Sequence, residues 1–402
     1  MTTMTTSMTT LPAATVRRLL CLPDLTDPST GPHALQVAVE RIERRVATAA
    51  GVPLHRHRPN PVVPVADNYD RLGYPPDAAA RDARYSRYLT ADLMLRAHTS
   101  AAMPGLHEGV ATGDLHPSED DLVLSVAGLT YRRDVVDRQH VGEPHQLDLW
   151  RVRRGGAPLT VADLEAQVAA VVAAVLPGRR WRTEPRVHPY TRDGRQIDVA
   201  TDAGDWVEVG ECGRTHPEVL RRSGLDPATV SGLAMGLGVD RLVMLAKGLD
   251  DIRLLRATDP RIAGQMHDLS PYVPVSSMPP VRRDLSLAMD AAPDPELLGD
   301  VVREVLGGDA AAVEHVEVVS TTPMTALPAA ARDRIGGRDG QVNVLVRVVL
   351  RDLDRTLTAG EANDLRDRIY AALHRGSVSQ WAGGQPTAGH GPRLRDTGSR
   401  AG

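Results

Sequence analysis

Three segments carry residue types able to act on phosphates. In GLTYRRDVVDRQHVGEPHQLDLW (128–150), Arg132 stands at the end of an apolar strand, before a charged loop, and the partner strand opens with HQLD. A guanidinium there can clamp a phosphate bidentately and stabilise a displaced pyrophosphate. The same segment also reads as a charged hairpin tip. In GLAMGLGVDRLVML (232–245), glycines allow close backbone approach and Arg241 falls near the start of an apolar helix. That combination makes an anion site, or plain helix packing. In DWVEVGECGRTHPEVL (205–220), Glu208 lies between Val207 and Val209. Alternation puts Trp206, Glu208 and Gly210 on one face, where an acid either holds Mg2+ in a cleft or meets solvent.

The surrounding elements are legible from periodicity. GPHALQVAVERIERRVATAAG (31–51) predicts a helix with Leu35, Val37, Val39, Ile42 and Val46 on a mostly apolar face and Gly51 at its end. A proline-rich extended stretch follows at 58–76. Residues 120–152 read as two strands, 159–176 as an amphipathic helix, and WRTEPRVHPY, QIDVAT and DWVEVGECG as further strands before the helix that follows GLAMGLGVDR. Strands and long helices without regular βαβ alternation predict an α+β fold on an antiparallel sheet. The expected domains are a tail (1–15), a first domain (16–270), a proline- and serine-rich linker (271–280), a second domain (281–381) and a Gly-, Arg- and Pro-containing tail (382–402). The second domain has a βαββαβ-type order.

Composition excludes several classes. The 402 residues are 42% hydrophobic and 24% charged, an ordinary globular balance. No apolar run reaches the roughly 20 residues of a membrane span, and MTTMTTSMTT lacks the regions of a secretory signal. Cys21 and Cys212 alone exclude a disulfide framework and suit the cytoplasm. The net charge of -4 exerts no global pull on nucleic acid. Lys247 is the sole lysine among 47 basic residues, and phenylalanine is absent although eight tyrosines remain.

Taken together, the motifs resemble class II aminoacyl-tRNA synthetases, and phenylalanyl-tRNA synthetases in particular. GLAMGLGVDR is similar to motif 3, G-x-G-x-[DE]-R, and YRRD with HQLD to motif 2. NYDRLGYPPDAAARDARYSRYL resembles the family's NFD-x-L segment, LRAHTS its LRTHTS, and VEVGECGRTHPEVLRRSGLDP its LEVLGCGMVHP stretch. MPPVRRDLSLAMD and LDRTLTAGEANDLRDRI resemble the ferredoxin-fold anticodon-binding domain, so that the likeness runs from about residue 31 to 376. It implies a class II synthetase antiparallel sheet flanked by helices, followed by a ferredoxin-like α/β sandwich. It also implies ATP and Mg2+ as cofactors and formation of an aminoacyl adenylate that is passed to tRNA. Arg132 and Arg241 would be catalytic. Arg132, Asp134, His145, Glu208, Gly236, Gly238 and Arg241 would hold ATP, with Glu208 the metal ligand. His98, Ser100, Gln146, Asp148, His188, Tyr190 and Ala234 would hold the amino acid, with Ala234 flooring its side-chain pocket. A monomer or homodimer is expected, without an obligate second type of subunit.

The departures fall in the site. The family's F-P-F stretch reads His188-Pro189-Tyr190, its following glutamate is Arg192, the adenine-stacking aromatic is Pro144, and two phenylalanines of GFAFG are Leu233 and Met235. Either the whole gene avoids phenylalanine, or the pocket is retuned for another amino acid. Residues 278–381 carry 12 basic and 16 acidic side chains, a weak electrostatic footprint for RNA. The alternatives to tRNA charging are therefore a paralogue that loads a carrier protein or small molecule, and a non-catalytic regulatory or binding protein.

Overall fold

The structure is a computed structural model that describes residues 10–83, 85–135, 137–274 and 278–379. The first core is built on a seven-stranded sheet. In spatial order its strands are Leu54–His57, Asp121–Leu129, His145–Arg154, Val230–Gly238, Trp206–Thr215, Thr191–Ala200 and Trp181–Pro185. Only the first pair is parallel. The helices Ala34–Ala50, Val161–Val175 and Val239–Lys247 cover one face. The first ends at Gly51 in the left-handed region (φ 65°), as its sequence predicts. The second starts on a capping box: Asp163 N–H donates to Thr160, and Thr160 N–H donates to the Asp163 carboxylate (2.8 Å).

Pleat alternation sorts the central strands. Leu147, Leu149, Leu233, Met235 and Leu237 enter the helix-covered core with Ile42, Val168 and Val243. Trp150 and Ala234 pack on the other side with Leu124, Val126 and Tyr190. The sequence reading missed the edge strand Leu54–His57, the short strands around Leu93–Leu95 and, most consequentially, one central strand. GLAMGLG forms most of Val230–Gly238, which sits mid-sheet between His145–Arg154 and Trp206–Thr215. Its glycines permit an unusually close pairing; a Cβ on Gly210 of the neighbouring strand would lie 2.3 Å from Gly236 O. The proline-rich stretch is less extended than expected: it holds Val62–Pro64, paired with Leu93–Leu95, and a helical turn at Ala66–Asp70.

A second core stands on Val281–Met289, Val342–Leu350 and Val313–Pro323, antiparallel with Val342–Leu350 in the centre. Pro295–Leu306 and Ala359–Leu373 pack Leu298, Val302 and Ile369 against Leu285, Val344 and Val346. This unit docks on the first. Arg303 donates to the carbonyls of Asp134 (2.6 Å) and Val135 (2.5 Å). Asp300 pairs with Arg87 (2.6 Å) and Arg133 (3.1 Å), and Glu314 with Arg138 (2.8 Å).

The expected N-terminal tail is too long. Ala13–Leu20 is a helix whose Leu19 is buried with Leu95, Leu129 and Tyr131, because its apolar side fills a hollow beside the sheet. Residues 382–402 lie outside the described residues, as do 275–277 of the linker; 271–274 and 278–280 form no regular element. No helix among the described residues is long and apolar enough to cross a membrane.

Ile42 is fully buried between helices and sheet. Ile42→Ala is expected to lower the unfolding free energy by about 2–5 kcal/mol in urea titrations, because the emptied volume cannot fully collapse.

Candidate functional site

On the face opposite the three helices lies a cleft of about 610 Å³, within the size range of small-molecule sites. Eleven of the residues picked out from sequence line it: His98, Ser100, Arg132, Asp134, Gln146, Asp148, Tyr190, Glu208, Gly236, Gly238 and Arg241. Their convergence follows from the pleat. Gln146 and Asp148 alternate with Leu147 and Leu149, and Gly236 pairs directly with Asp148 while Gly238 pairs with Gln146.

Arg132 and Arg241 bring two guanidiniums to the cleft. Arg132 retains 42% of its side chain exposed, and its nearest carboxylate, Asp134, is 3.8 Å away. Arg241 donates to Glu208 O (3.0 Å) and approaches His140 Nε2 (2.8 Å). The His140 Nδ1 lies 2.8 Å from the Asp137 carboxylate, so that Nδ1–H donates to Asp137 and Nε2 accepts from Arg241. Among the described residues no carboxylate lies within ion-pair distance of Arg241. His140 carried no sequence signal beyond its place in a charged loop.

Another part of the wall, within electrostatic reach of Arg132, gathers acids and rings. Asp148 is buried and accepts from Thr99 Oγ1 (2.5 Å), Ser100 Oγ (2.7 Å) and Trp150 Nε1 (2.8 Å). Burial raises its pKa to about 6 against the pull of those three donors. His98 is half-buried, stacks on Tyr74 (5.7 Å) and has its pKa lowered to about 4 by desolvation, so its ring is neutral near pH 7. The His98 Nδ1 has no hydrogen-bond partner within the protein. Glu211 also lines the cleft, accepts from Tyr190 Oη and lies 2.7 Å from His188 Nε2.

Glu211 and Tyr74 were missed by the sequence reading. Strict alternation from Glu208 assigns Glu211 to the opposite face. The register with the neighbouring strand slips between Ile197 and Asp198, and both glutamates reach the cleft.

Three expected ligand contacts are not on the cleft wall. His145 is fully buried behind it. Leu25 N–H donates to its Nε2 (3.1 Å), and its Nδ1 and backbone N–H both meet Asp240 (3.0 and 2.5 Å). With both nitrogens occupied inside the core, His145 braces Asp240 rather than touching a nucleotide. Asp240 is held at a pKa of about 2: burial opposes ionisation, and His145 and Arg256 outweigh it. Ala234 is fully buried beneath Tyr190 and Trp150, and His188 stacks behind Tyr190 at 5.7 Å, reaching the cleft through Glu211. Ser100 lines the cleft, but its hydroxyl proton is committed to Asp148. Of the departures, Pro144 lines the cleft and Arg192 is exposed away from it.

A family model for the tRNA synthetases class II core domain (F) matches residues 28–266. The chain belongs to this family. It is 31% identical over 247 residues to the phenylalanine–tRNA ligase alpha subunit of Leuconostoc citreum, covering 59% of this chain and 68% of that one. With the alpha subunit from Nostoc punctiforme it shares 33% over 198 residues, 49% of this chain and 56% of the other. A probable mitochondrial phenylalanine–tRNA ligase of Drosophila melanogaster is 28% identical over 370 residues, covering 78% of this chain and 76% of that one. The chain thus spans from just over half to three quarters of the length of these relatives. A pyrrolysyl tRNA synthetase from Desulfitobacterium hafniense superposes with a TM-score of 0.42 at 17% identity over 60% of this chain and 77% of that one.

In this synthetase core, the raised pKa of Asp148 has a defined linkage. The folded state favours the protonated carboxyl, so its stabilising contribution is full below about pH 4 and is lost as pH rises through about 6. Asp148→Asn removes that titration. The stability of wild type relative to the variant is expected to fall between pH 4 and 7 in urea titrations and then level off; a constant difference would contradict the assignment.

Proposed function

We propose that this chain activates an amino acid with ATP and transfers it to tRNA, as a phenylalanyl-tRNA-synthetase-like ligase. The observation that carries this reading is the make-up of the cleft: two guanidiniums, Arg132 and Arg241, share it with the Asp148 carboxyl and neutral His98. The guanidiniums suit a triphosphate and the carboxyl an α-ammonium group.

In the first step a substrate carboxylate oxygen attacks the α-phosphorus of ATP; the new P–O bond forms as the bond to the bridging oxygen breaks, and pyrophosphate leaves. Arg132 neutralises charge developing on the transferred phosphoryl group, and Arg241 holds the departing phosphates. Gly236 and Gly238 leave room for the nucleotide, and Asp134 orients Arg132. Gln146 and the His98 Nδ1 meet the substrate's carboxyl and amino groups. In the second step a tRNA hydroxyl attacks the adenylate carbonyl and AMP leaves. Catalysis is positional and electrostatic, with no side-chain nucleophile.

Mg2+ is compatible with these residues through one carboxylate. Glu208 lines the cleft exposed, while no group of three candidate ligands occurs among the described residues. Magnesium commonly takes one or two protein carboxylates plus substrate phosphates, and would supply charge neutralisation there.

For the second unit, the order of its three strands and its two long helices support a ferredoxin-like domain lacking a fourth strand among the described residues. Its contacts with Asp134, Val135 and Arg138 set it beside the cleft, whose lining Glu296 joins. We assign the chain to the cytoplasm, which its free cysteines Cys21 and Cys212 suit, and expect a monomer or homodimer.

Arg241→Ala is expected to reduce amino-acid-dependent ATP–pyrophosphate exchange by roughly 10²–10³-fold, with unchanged circular dichroism, as for loss of a preorganised charge contact. Exchange equal to wild type would remove Arg241 from the reaction.

A further inference from the structure

We propose that Glu211 selects an amino acid whose aromatic ring carries a hydrogen-bond donor, a hydroxyl or an amino group, over one with a bare ring. This deepens the activation reading above and rests on it for the identity of the site. Four observations carry the inference.

First, Glu211 lines the cleft beside Tyr74, Tyr190 and His98, among the residues proposed to meet the amino acid. Tyr74 lies 5.7 Å from His98 and 6.4 Å from Tyr190, centroid to centroid, so the three rings form one aromatic wall against which a flat side chain can pack. Second, the carboxylate is fixed. Tyr190 Oη donates to one oxygen and His188 Nε2 lies 2.7 Å from the other, while Tyr190 is itself clamped between Trp150 and His188. Third, its acceptor capacity is not used up. A carboxylate has about four lone-pair sites, and the two protein contacts leave the rest on a side chain that keeps 38% exposure where it lines the cleft. Fourth, Glu211 is the charged form: burial opposes ionisation, but the His188 contact and the Tyr190 hydrogen bond outweigh it and hold the carboxyl below its ordinary range.

A bare phenyl ring on this wall strips water from the remaining lone pairs and returns nothing. A ring O–H or N–H restores the hydrogen bond. Sites built to hydrogen-bond a substrate reject the analogue that lacks the donor far more strongly than apolar pockets reject a surplus methylene. Avoidance of phenylalanine across the gene accounts for rings and apolar side chains in place of Phe; it does not bring a carboxylate to that wall.

The test uses the full chain and L-phenylalanine, L-tyrosine, 3-hydroxy-L-phenylalanine and 4-amino-L-phenylalanine. Each is measured by ATP–pyrophosphate exchange and by isothermal titration. At least one ring-donor probe is expected to exceed phenylalanine in kcat/KM, or in affinity, by about 10²-fold. In Glu211→Ala that ratio should collapse to within a few-fold of unity, with Glu211→Gln intermediate because its amide oxygen still accepts. Selective binding of a ring-donor probe without any exchange would uphold this inference and defeat the activation reading. Exchange in which phenylalanine equals or beats every ring-donor probe would do the reverse. Failure of every ring-donor probe to bind or exchange, or an unchanged ratio in a folded Glu211→Ala, overturns the proposal.

Discussion

The register between His145–Arg154 and Val230–Gly238 is the constraint on which the rest depends. Leu147, Leu149, Leu233, Met235 and Leu237 must enter the core beneath the three helices. Because side chains alternate, that requirement alone commits Gln146, Asp148, Gly236 and Gly238 to the other face. A slip of one residue would bury Asp148 among leucines and expose the core set. The apolar side of the sheet therefore holds the polar side in register, and the energy of burial is what positions the chemistry.

On the cleft face the main electrostatic difficulty is charge out of water. Asp148 is buried, and three donors from Thr99, Ser100 and Trp150 make that tolerable. Asp240 faces the same problem behind the cleft and meets it with His145 and Arg256. The two carboxyls end on opposite sides of the ordinary range, near 6 and near 2, because Asp148 has neutral donors and faces the Glu211 carboxylate while Asp240 has His145 and the Arg256 guanidinium beside it. Arg132 and Arg241 are left for a ligand by a different device. Arg241 is oriented by a carbonyl and a histidine, so its charge is positioned without being cancelled.

The second unit contributes to the site through the backbone of the first. Arg303 grips the carbonyls of Asp134 and Val135 in the loop that follows Arg132, and Asp300 pairs with Arg133. Glu314 gathers Arg138, Arg253 and Arg351 at the same junction. The loop that follows Arg132 is thus held by the second unit. A weakly acidic unit can dock here because its partner surface is rich in arginine.

The sequence by itself determined the helices at 34–50 and 161–175, most of the strands, the sheet-based α+β class and eleven of the residues that line the cleft, since period, caps and motif spacing are local properties. The strand at Val230–Gly238 escaped because glycine has no strand propensity; only the close approach of a neighbouring backbone, marked by Gly210, makes strand the right state for it. Motif position put His145 on the ligand, but a residue beside Gln146 points the other way across the pleat, and its partners, Leu25 and Asp240, come from remote segments. Glu211 stayed invisible for the converse reason: strict alternation placed it away from Glu208, and a register slip against a neighbouring strand brought both into one cleft. Local patterns fix which residues alternate, whereas the pairing of distant strands decides which side of the sheet becomes the site.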